Sequence, residues 1–163
     1  MATLLKQSQV IENDAWIELE DGQTPKGPTI VSFQYWQENV EALTGLAAAG
    51  DLGLLLKSDE TADLIAEACH QFALICVDFP KFADGRGYSA ARLLRERYGY
   101  TGELRSVGDV LVDQLFFMKR VGFDSYALRS DQDVDDALAA FTTFTNPYQG
   151  DVADPRPLFR RMS

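Results

Sequence analysis

The chain has 163 residues, of which 46% are hydrophobic and 25% are charged. This length suits one domain, and this composition excludes a wholly disordered chain, a collagen-like fibre and a disulfide scaffold. The net charge of −10 argues against nucleic acid as the main partner, because an acidic surface repels phosphates.

The N-terminal third is predicted to hold a small β element followed by one helix. Val10–Glu20 alternates weakly between apolar and polar residues and is expected to form an exposed strand. Thr29–Phe33 is expected to form a second strand, so residues 1–33 are interpreted as an N-terminal β extension of a single domain spanning 1–163. The apolar spacing of Phe33–Ala49 predicts a helix.

From residue 52 onward, short apolar runs alternate with helical patterns. The predicted strands lie near 52–56, 72–78, 103–107 and 125–129, and the predicted helices near 58–70, 88–98, 109–121 and 131–144. Four strand–helix units with continuous apolar strands predict an α/β fold built on a parallel sheet. Residues 145–163 contain three prolines and no periodic pattern, so they are interpreted as a C-terminal tail.

Two architectures fit this pattern. One is a doubly wound sheet with helices on both faces, and the other is a sequential (βα)₄ layer that resembles half of a (βα)₈ barrel. The sequential layer would leave one face uncovered, so it would need the N-terminal element, the tail or a second copy of the chain as a cover. In both architectures, ligands bind at the C-terminal ends of the strands.

The segment Asp78–Arg92, DFPKFADGRGYSAAR, leaves a predicted strand and enters a helix through two glycines. Free backbone N–H groups, the helix dipole and arginines could converge there on an anion. Arg105, Asp109 and Arg129 also fall at or near strand ends, and Asp109 is expected to cap the following helix. The predicted ligand-binding residues are Asp78, Asp84, Arg86, Ser89, Arg92, Arg105 and Asp109. The alternative is that Asp84 and Arg86 only pair within a rigid loop.

Metal and cofactor chemistry has little support in the sequence. Cys69, Cys76 and His70 are too few for a four-ligand zinc site or an all-cysteine iron–sulfur cluster. Both cysteines lie in apolar surroundings and are expected to be buried, reduced thiols. The Gly85-x-Gly87-x-x-Ala90 pattern stands too far from its strand for a dinucleotide site. We therefore expect no metal and no cofactor, and assign no catalytic residue.

The chain also has no long apolar segment. The longest apolar runs are far shorter than the ~18 residues of a membrane span, and no secretory leader pattern is seen, so a cytoplasmic protein without a membrane partner is expected. Charge is unevenly spread: residues 81–129 carry nine Lys/Arg and six Asp/Glu, a net +3, while the other residues carry −13. A basic middle in an acidic protein favours an anionic ligand or an acidic partner.

Two stretches resemble a bacterial family known as domain of unknown function 934. They are DFPKFADGRGYSAARLLR (78–95) and GELRSVGDVLVDQLFFMKRVGFD (102–124). The resemblance implies a link to assimilatory sulfite reduction, because members are encoded beside sirohaem sulfite reductases and carry an oxidoreductase label that rests on gene neighbourhood.

Three hypotheses follow for the function. The first is an accessory protein that binds a sulfite reductase or its electron donor. The second is an enzyme or sensor for a small anion (sulfite, sulfate or a phosphate ester) that uses the 78–92 loop. The third is a homo-oligomer in which a second copy covers the open face of the sheet.

Overall fold

The computed structural model describes residues 3–6, 9–20, 23–80 and 85–143. This part of the chain contains eight strands and five α-helices. The strands are β1 (Thr3–Lys6), β2 (Gln9–Ile11), β3 (Ile17–Glu18), β4 (Thr29–Ser32), β5 (Leu52–Leu56), β6 (Leu74–Phe79), β7 (Glu103–Gly108) and β8 (Ser125–Leu128). The helices are α1 (Phe33–Glu38), α2 (Thr44–Ala49), α3 (Arg86–Arg92), α4 (Leu115–Val121) and α5 (Val134–Thr143). The predicted tail, 145–163, and Asp84 lie outside the described residues.

All eight strands belong to one mixed, mostly parallel sheet in the order β2-β1-β8-β7-β6-β5-β4-β3. Strands β3 to β8 are parallel and follow one another in chain order, whereas β1 runs antiparallel to β8 and β2 antiparallel to β1. This order matches the half-barrel alternative and not the doubly wound one, in which the strand order reverses. The predicted N-terminal β element does not stand apart, because its strands extend the main sheet at both edges.

The connections differ from four regular strand–helix units. Within the described residues, an α-helix follows β4, β6, β7 and β8, but β5 and β6 are joined by two 3-10 turns, Ala62–Ile65 and Cys69–Gln71. The apolar residues whose spacing predicted a helix there do face the core, since Ala62, Ile65 and Cys69 are buried. The predicted helix over 33–49 is α1 and α2 with a break between them. Helix α1 ends near Asn39, whose side-chain amide donates a hydrogen bond to the Tyr35 carbonyl. This side-chain bond occupies the carbonyl that the Asn39 backbone N–H would bind if the helix continued.

The path of the N-terminus requires the sheet to curl. β2 and β3 are the two edge strands, and only six residue steps separate Ile11 from Ile17. Six steps span at most about 22 Å, whereas seven strand spacings in a flat sheet span about 34 Å. The edges must therefore approach each other, and residues 12–16 cross the face of the sheet between them. We call this segment the strap.

The two faces of the sheet are covered differently. The helices pack on one face, the outer face, over a core that includes Leu54, Val77, Leu104 and Tyr126. The opposite inner face has a smaller cluster built on Ile30, Leu74 and Cys76, which the strap covers in part through Trp16. The Trp16 ring lies 3.1 Å from the position that a Cβ on Gly53 would take, so the absence of a side chain at Gly53 lets the indole lie on β5.

None of the helices in this part of the chain has the length and apolar character to cross a membrane.

Candidate functional site

The structure distributes the predicted site residues over three places. Asp78, Asp109 and Arg86 lie near the C-terminal ends of the parallel strands, which we call the C-terminal edge. Arg105 lies on the inner face, and Ser89 and Arg92 lie on the exposed side of α3. The structure therefore does not bring Arg105 together with Arg86, Ser89 and Arg92.

At the C-terminal edge, three hydrogen bonds centre on Arg129, which follows β8. Its guanidinium donates from Nε and Nη2 to the two carboxylate oxygens of Asp131, at 2.6 and 2.8 Å, and from Nη1 to Asp109 Oδ1 at 2.6 Å. The hydrogen bonds to Asp131, and to a smaller extent the one to Asp109, raise the pKa of Arg129. The hydrogen bonds from Arg129 in turn lower the pKa of Asp131. Arg129 was recognised in the sequence only by its place at a strand end.

Asp109 does not begin a helix as expected. The next helical residues are a 3-10 turn, Val112–Gln114, and α4 starts at Leu115. The Val112 amide donates to the side chain of Gln132, at 3.1 Å, so this helix start is held by the loop after β8. Asp109 instead binds Arg129 through its side chain and donates its backbone N–H to the Phe79 carbonyl, at 2.6 Å.

Gly108 makes the close approach of β6 and β7 at this edge possible. Its φ of +91° is a left-handed conformation that favours glycine. A Cβ at this position would lie 2.5 Å from Asp78 Oδ1 and 2.6 Å from the Phe79 carbonyl oxygen. The absence of a side chain at Gly108 thus lets the end of β7 lie against Asp78 and Phe79 at the end of β6.

Arg86 opens α3 on the same edge, but Arg92 lies at the other end of that helix. The Arg86 guanidinium reaches the Ser58 hydroxyl in the loop after β5, with Nη2 3.5 Å from Oγ. Six residues of helix separate Arg86 from Arg92 by about 9 Å along the axis, and Arg92 lies 4.0 Å from Glu96 on the exposed surface. Arg86 and Arg92, which were expected to bind one anion together, therefore lie at opposite ends of α3.

Arg105 forms a buried network on the inner face, away from the C-terminal edge. It is the third residue of β7, about 10 Å before Gly108 along the strand, and only 8% of its side chain is exposed. Its guanidinium binds both carboxylate oxygens of Asp14 in the strap, at 2.9 and 3.2 Å, and Glu103 Oε2 at 3.1 Å. The prediction that Arg105 lies with the other residues at the C-terminal edge was wrong. Neighbouring parallel strands bring their C-terminal ends together, but Arg105 lies three residues before the end of β7.

Glu103 completes this network, because it lies two residues before Arg105 on β7 and therefore on the same face of the sheet. It accepts hydrogen bonds from Lys6 at 2.9 Å and from the Ser125 hydroxyl at 2.8 Å, besides the one from Arg105. Burial opposes ionisation, but the bonds from Lys6 and Ser125 and the charge of Arg105 outweigh it and lower the pKa of Glu103. Burial likewise works against the charge of Arg105, but its hydrogen bonds to Asp14, together with the charges of Asp14 and Glu103, outweigh burial and raise the pKa of Arg105.

A second arginine network was missed by the sequence reasoning. Arg95, in the π-helical turn Leu93–Arg97, donates to the carbonyls of Tyr100, Gly102 and Gly122 at 2.8–3.0 Å, and to Asp124 Oδ2 at 2.6 Å. Asp124 in turn accepts the Leu104 amide at 3.0 Å. Arg95 and Asp124 both fall inside the two stretches that carry the family resemblance, which was the available signal. Their contacts join α3 to the start of β7 and β8, so their role is structural.

Both cysteines of the chain lie among the described residues as free thiols. Cys69 and Cys76 are both buried, and burial raises the pKa of both thiols, that of Cys76 to about 12. A thiolate, the nucleophilic form, is therefore scarce at neutral pH. Within 3–6, 9–20, 23–80 and 85–143, no group of three or more His, Cys, Asp or Glu side chains could hold a metal ion.

A family model described as "Bacterial protein of unknown function (DUF934)" matches residues 53–159 of this chain. The match runs from Gly53 in β5 through β8 and α5, and it includes Arg95, Arg105 and Glu103. It leaves out Lys6 and the strap with Asp14, which complete the Arg105 network. No curated protein matched the chain.

Proposed function

The chain belongs to the bacterial DUF934 family, and we propose that it acts as an accessory protein of assimilatory sulfite reduction. In this proposal it docks to a sulfite reductase or to the electron donor of that reductase, and it works in the cytoplasm. The link to sulfite reduction comes from the sequence resemblance, and the support for docking comes from the charge at the C-terminal edge.

The observation that carries the docking proposal is the unbalanced acidity after β8. Asp131, Asp133, Asp135 and Asp136 stand within six residues and are all exposed, at the loop and first turn of α5. Arg129 is the one Lys or Arg within residues 129–136 and binds two carboxylates, so this segment has a net charge of −3. A solvent-facing acidic surface of this kind steers a basic protein surface towards it and increases the association rate.

A binding measurement tests this proposal directly. The purified chain is immobilised, and sulfite reductase and its electron donor from the same bacterium are passed over it at low and at physiological ionic strength. We expect one of them to bind, with an association rate that falls as salt screens the acidic edge. The Asp135→Lys/Asp136→Lys variant should weaken that binding about tenfold, mainly through the association rate.

A matched control separates the edge from the overall charge of the protein. Glu38 and Glu41, at and after the end of α1, are exposed acids away from β8, so Glu38→Lys/Glu41→Lys changes the net charge by the same amount. This control should bind like the unmodified chain. The proposal is wrong if the unmodified chain binds neither partner, and the edge is the wrong surface if both variants bind equally well.

Binding of a small anion is the second candidate, favoured by Arg86 and Ser58 at the C-terminal edge. An exposed guanidinium 3.5 Å from a hydroxyl offers two donors to sulfite, sulfate or a phosphate ester. Calorimetry with each anion tests this candidate, and Arg86→Ala should weaken any binding about ten- to a hundredfold. Arg97→Ala, which removes an exposed arginine elsewhere, should leave it unchanged. Heat signals that are the same for both variants would exclude this site.

A further inference from the structure

The strap is attached to the sheet by two side chains. Within the described residues, no backbone group of residues 12–16 forms a hydrogen bond with the rest of the chain, and the segment has neither helix nor strand. Its polar attachment is Asp14, which binds Arg105, and its apolar attachment is Trp16, which lies on Gly53. A segment without backbone pairing opens at a lower free-energy cost than the strands beneath it, because it breaks few contacts when it lifts.

The two partners in the polar attachment differ in burial. The Arg105 side chain is 8% exposed and belongs to β7, whereas the Asp14 side chain is 29% exposed and belongs to the strap. Arginine stays protonated when its partner leaves, so a lifted strap leaves a buried cation behind. Arg105, Lys6 and Glu103 then sum to a charge of +1, and Glu18, an exposed acid on β3, is not an ion-pair partner of Arg105. The inner face without Asp14 therefore needs an anion.

An apolar surface lies beside this cation. It is the inner-face cluster of Ile30, Leu74 and Cys76, against which the half-buried Trp16 packs. Arg105 pairs in register with Cys76, and Gly53 pairs with Leu74, so the cation and the place of the indole are two strand spacings apart, about 10 Å. The strap thus supplies the two groups that this face accepts, a carboxylate and a flat apolar ring, from residues two positions apart.

We propose that the inner face is a binding site for a small carboxylate with an apolar ring, and that the strap closes this site as an intramolecular ligand. The carboxylate of the bound molecule replaces that of Asp14 on Arg105, and its ring replaces the Trp16 indole on Gly53. The planar guanidinium fork matches two carboxylate oxygens, as it does for Asp14. The site is independent of the docking proposed above and is separate from Arg86 at the C-terminal edge.

Binding at this site competes with closure of the strap. The apparent affinity is the intrinsic affinity reduced by the fraction of molecules in which the strap is open. Asp14→Asn removes the charge that competes for Arg105 and should therefore tighten binding about fivefold. Glu12→Gln is the matched control, because it removes one acid from the same strap, and Glu12 is exposed and outside the Arg105 network. This control should bind like the unmodified chain.

Calorimetry with phenylpropionate as the probe measures these affinities at constant ionic strength, with acetate and sulfate as comparison anions. We expect phenylpropionate to bind the unmodified chain, and acetate to bind more weakly because it has no ring to place on the apolar cluster. Arg105→Lys keeps the buried charge but loses the fork, so it should weaken phenylpropionate binding about tenfold. Arg86→Ala should leave that binding unchanged.

Fluorescence shows whether the strap moves. The chain has two tryptophans, so a Trp36→Phe variant leaves Trp16 as the only source of indole emission. We expect the emission to shift to longer wavelength as phenylpropionate saturates the site, because the indole leaves the apolar cluster for water. The inference is overturned if the probe binds neither the unmodified chain nor Asp14→Asn, if sulfate gives the same shift, or if binding leaves the Trp16 emission unchanged. Loss of binding in Arg86→Ala would place the anion at the C-terminal edge and also overturn it.

Discussion

Asp14 and Arg105 are 91 residues apart in the chain, yet two hydrogen bonds join their side chains on the inner face of the sheet. The pairing connects the strap to β7, in the interior of the sheet, through a side chain that is almost entirely buried. A curled sheet with helices on its outer face alone has a second face to cover. The strap covers this inner face with a polar contact, the Asp14–Arg105 pair, and with an apolar contact, the Trp16 ring packed against Gly53 of β5.

Replacing Arg105 should therefore destabilise the protein. Arg105→Ala leaves the half-buried carboxylates of Glu103 and Asp14 without their shared cation, and removing one partner of a buried ion pair costs about 3 kcal/mol. Urea denaturation at pH 7 measures the loss. Asp14→Asn, at the more exposed end of the network, should cost only about 1 kcal/mol. An Arg105→Ala protein as stable as the unmodified one would show that the network does not hold the strap.

The stability contributed by Glu103 should depend on pH. The folded state lowers the pKa of Glu103 below its unfolded value of about 4.3, so its contribution is fully present above that pH and is lost as the pH falls through the folded pKa. The difference in unfolding free energy between the unmodified chain and Glu103→Gln should be constant from about pH 7 to 5 and should shrink below about pH 4.3. A difference that stays constant down to pH 3 would contradict the direction of the shift.

Gly108 should tolerate no side chain. Gly108→Ala forces a left-handed φ on alanine and places its Cβ against Asp78 and the Phe79 carbonyl. Gly99→Ala is the matched control, since Gly99 also has a positive φ, +66°, but has open space around its Cβ position. We expect Gly99→Ala to cost about 1 kcal/mol, the price of the conformation alone, and Gly108→Ala distinctly more. Thermal denaturation compares the two, and equal losses would mean that the strand ends can separate to admit a methyl group.

The two cysteines should be unreactive in the folded protein. Both thiols are buried, and the raised pKa keeps them protonated at pH 8. A maleimide reagent should label neither thiol in buffer and both in urea, as counted by intact mass. Rapid labelling of Cys76 in buffer would show that the strap opens readily, because Cys76 lies on the inner face with Ile30 and Leu74.

The sequence by itself determined the elements whose residues interact locally. The apolar run over 52–56 predicted a strand that the structure has, because a strand buried on both faces needs apolar residues at nearly every position. The strands predicted at 103–107 and 125–129 are also present, although both segments include polar residues. The predicted helix after Ser58 was wrong because an apolar spacing of three and four residues fits 3-10 turns as well as one α-helix. Asp78 and Asp109 were expected at or near strand ends, and the structure places Asp78 among the last paired residues of β6 and Asp109 directly after β7, because parallel neighbouring strands end together.

Only the tertiary structure decided which strands are neighbours and where the charged side chains go. Strand order depends on contacts between residues far apart in the chain, and no local pattern distinguishes a sequential sheet from a doubly wound one. Arg105 illustrates the reason: its side chain turns to the inner face because of its register on β7, and its partner Asp14 reaches it only because the sheet curls and the strap crosses it. Arg95 binds carbonyls that no sequence pattern marks, since every residue has one.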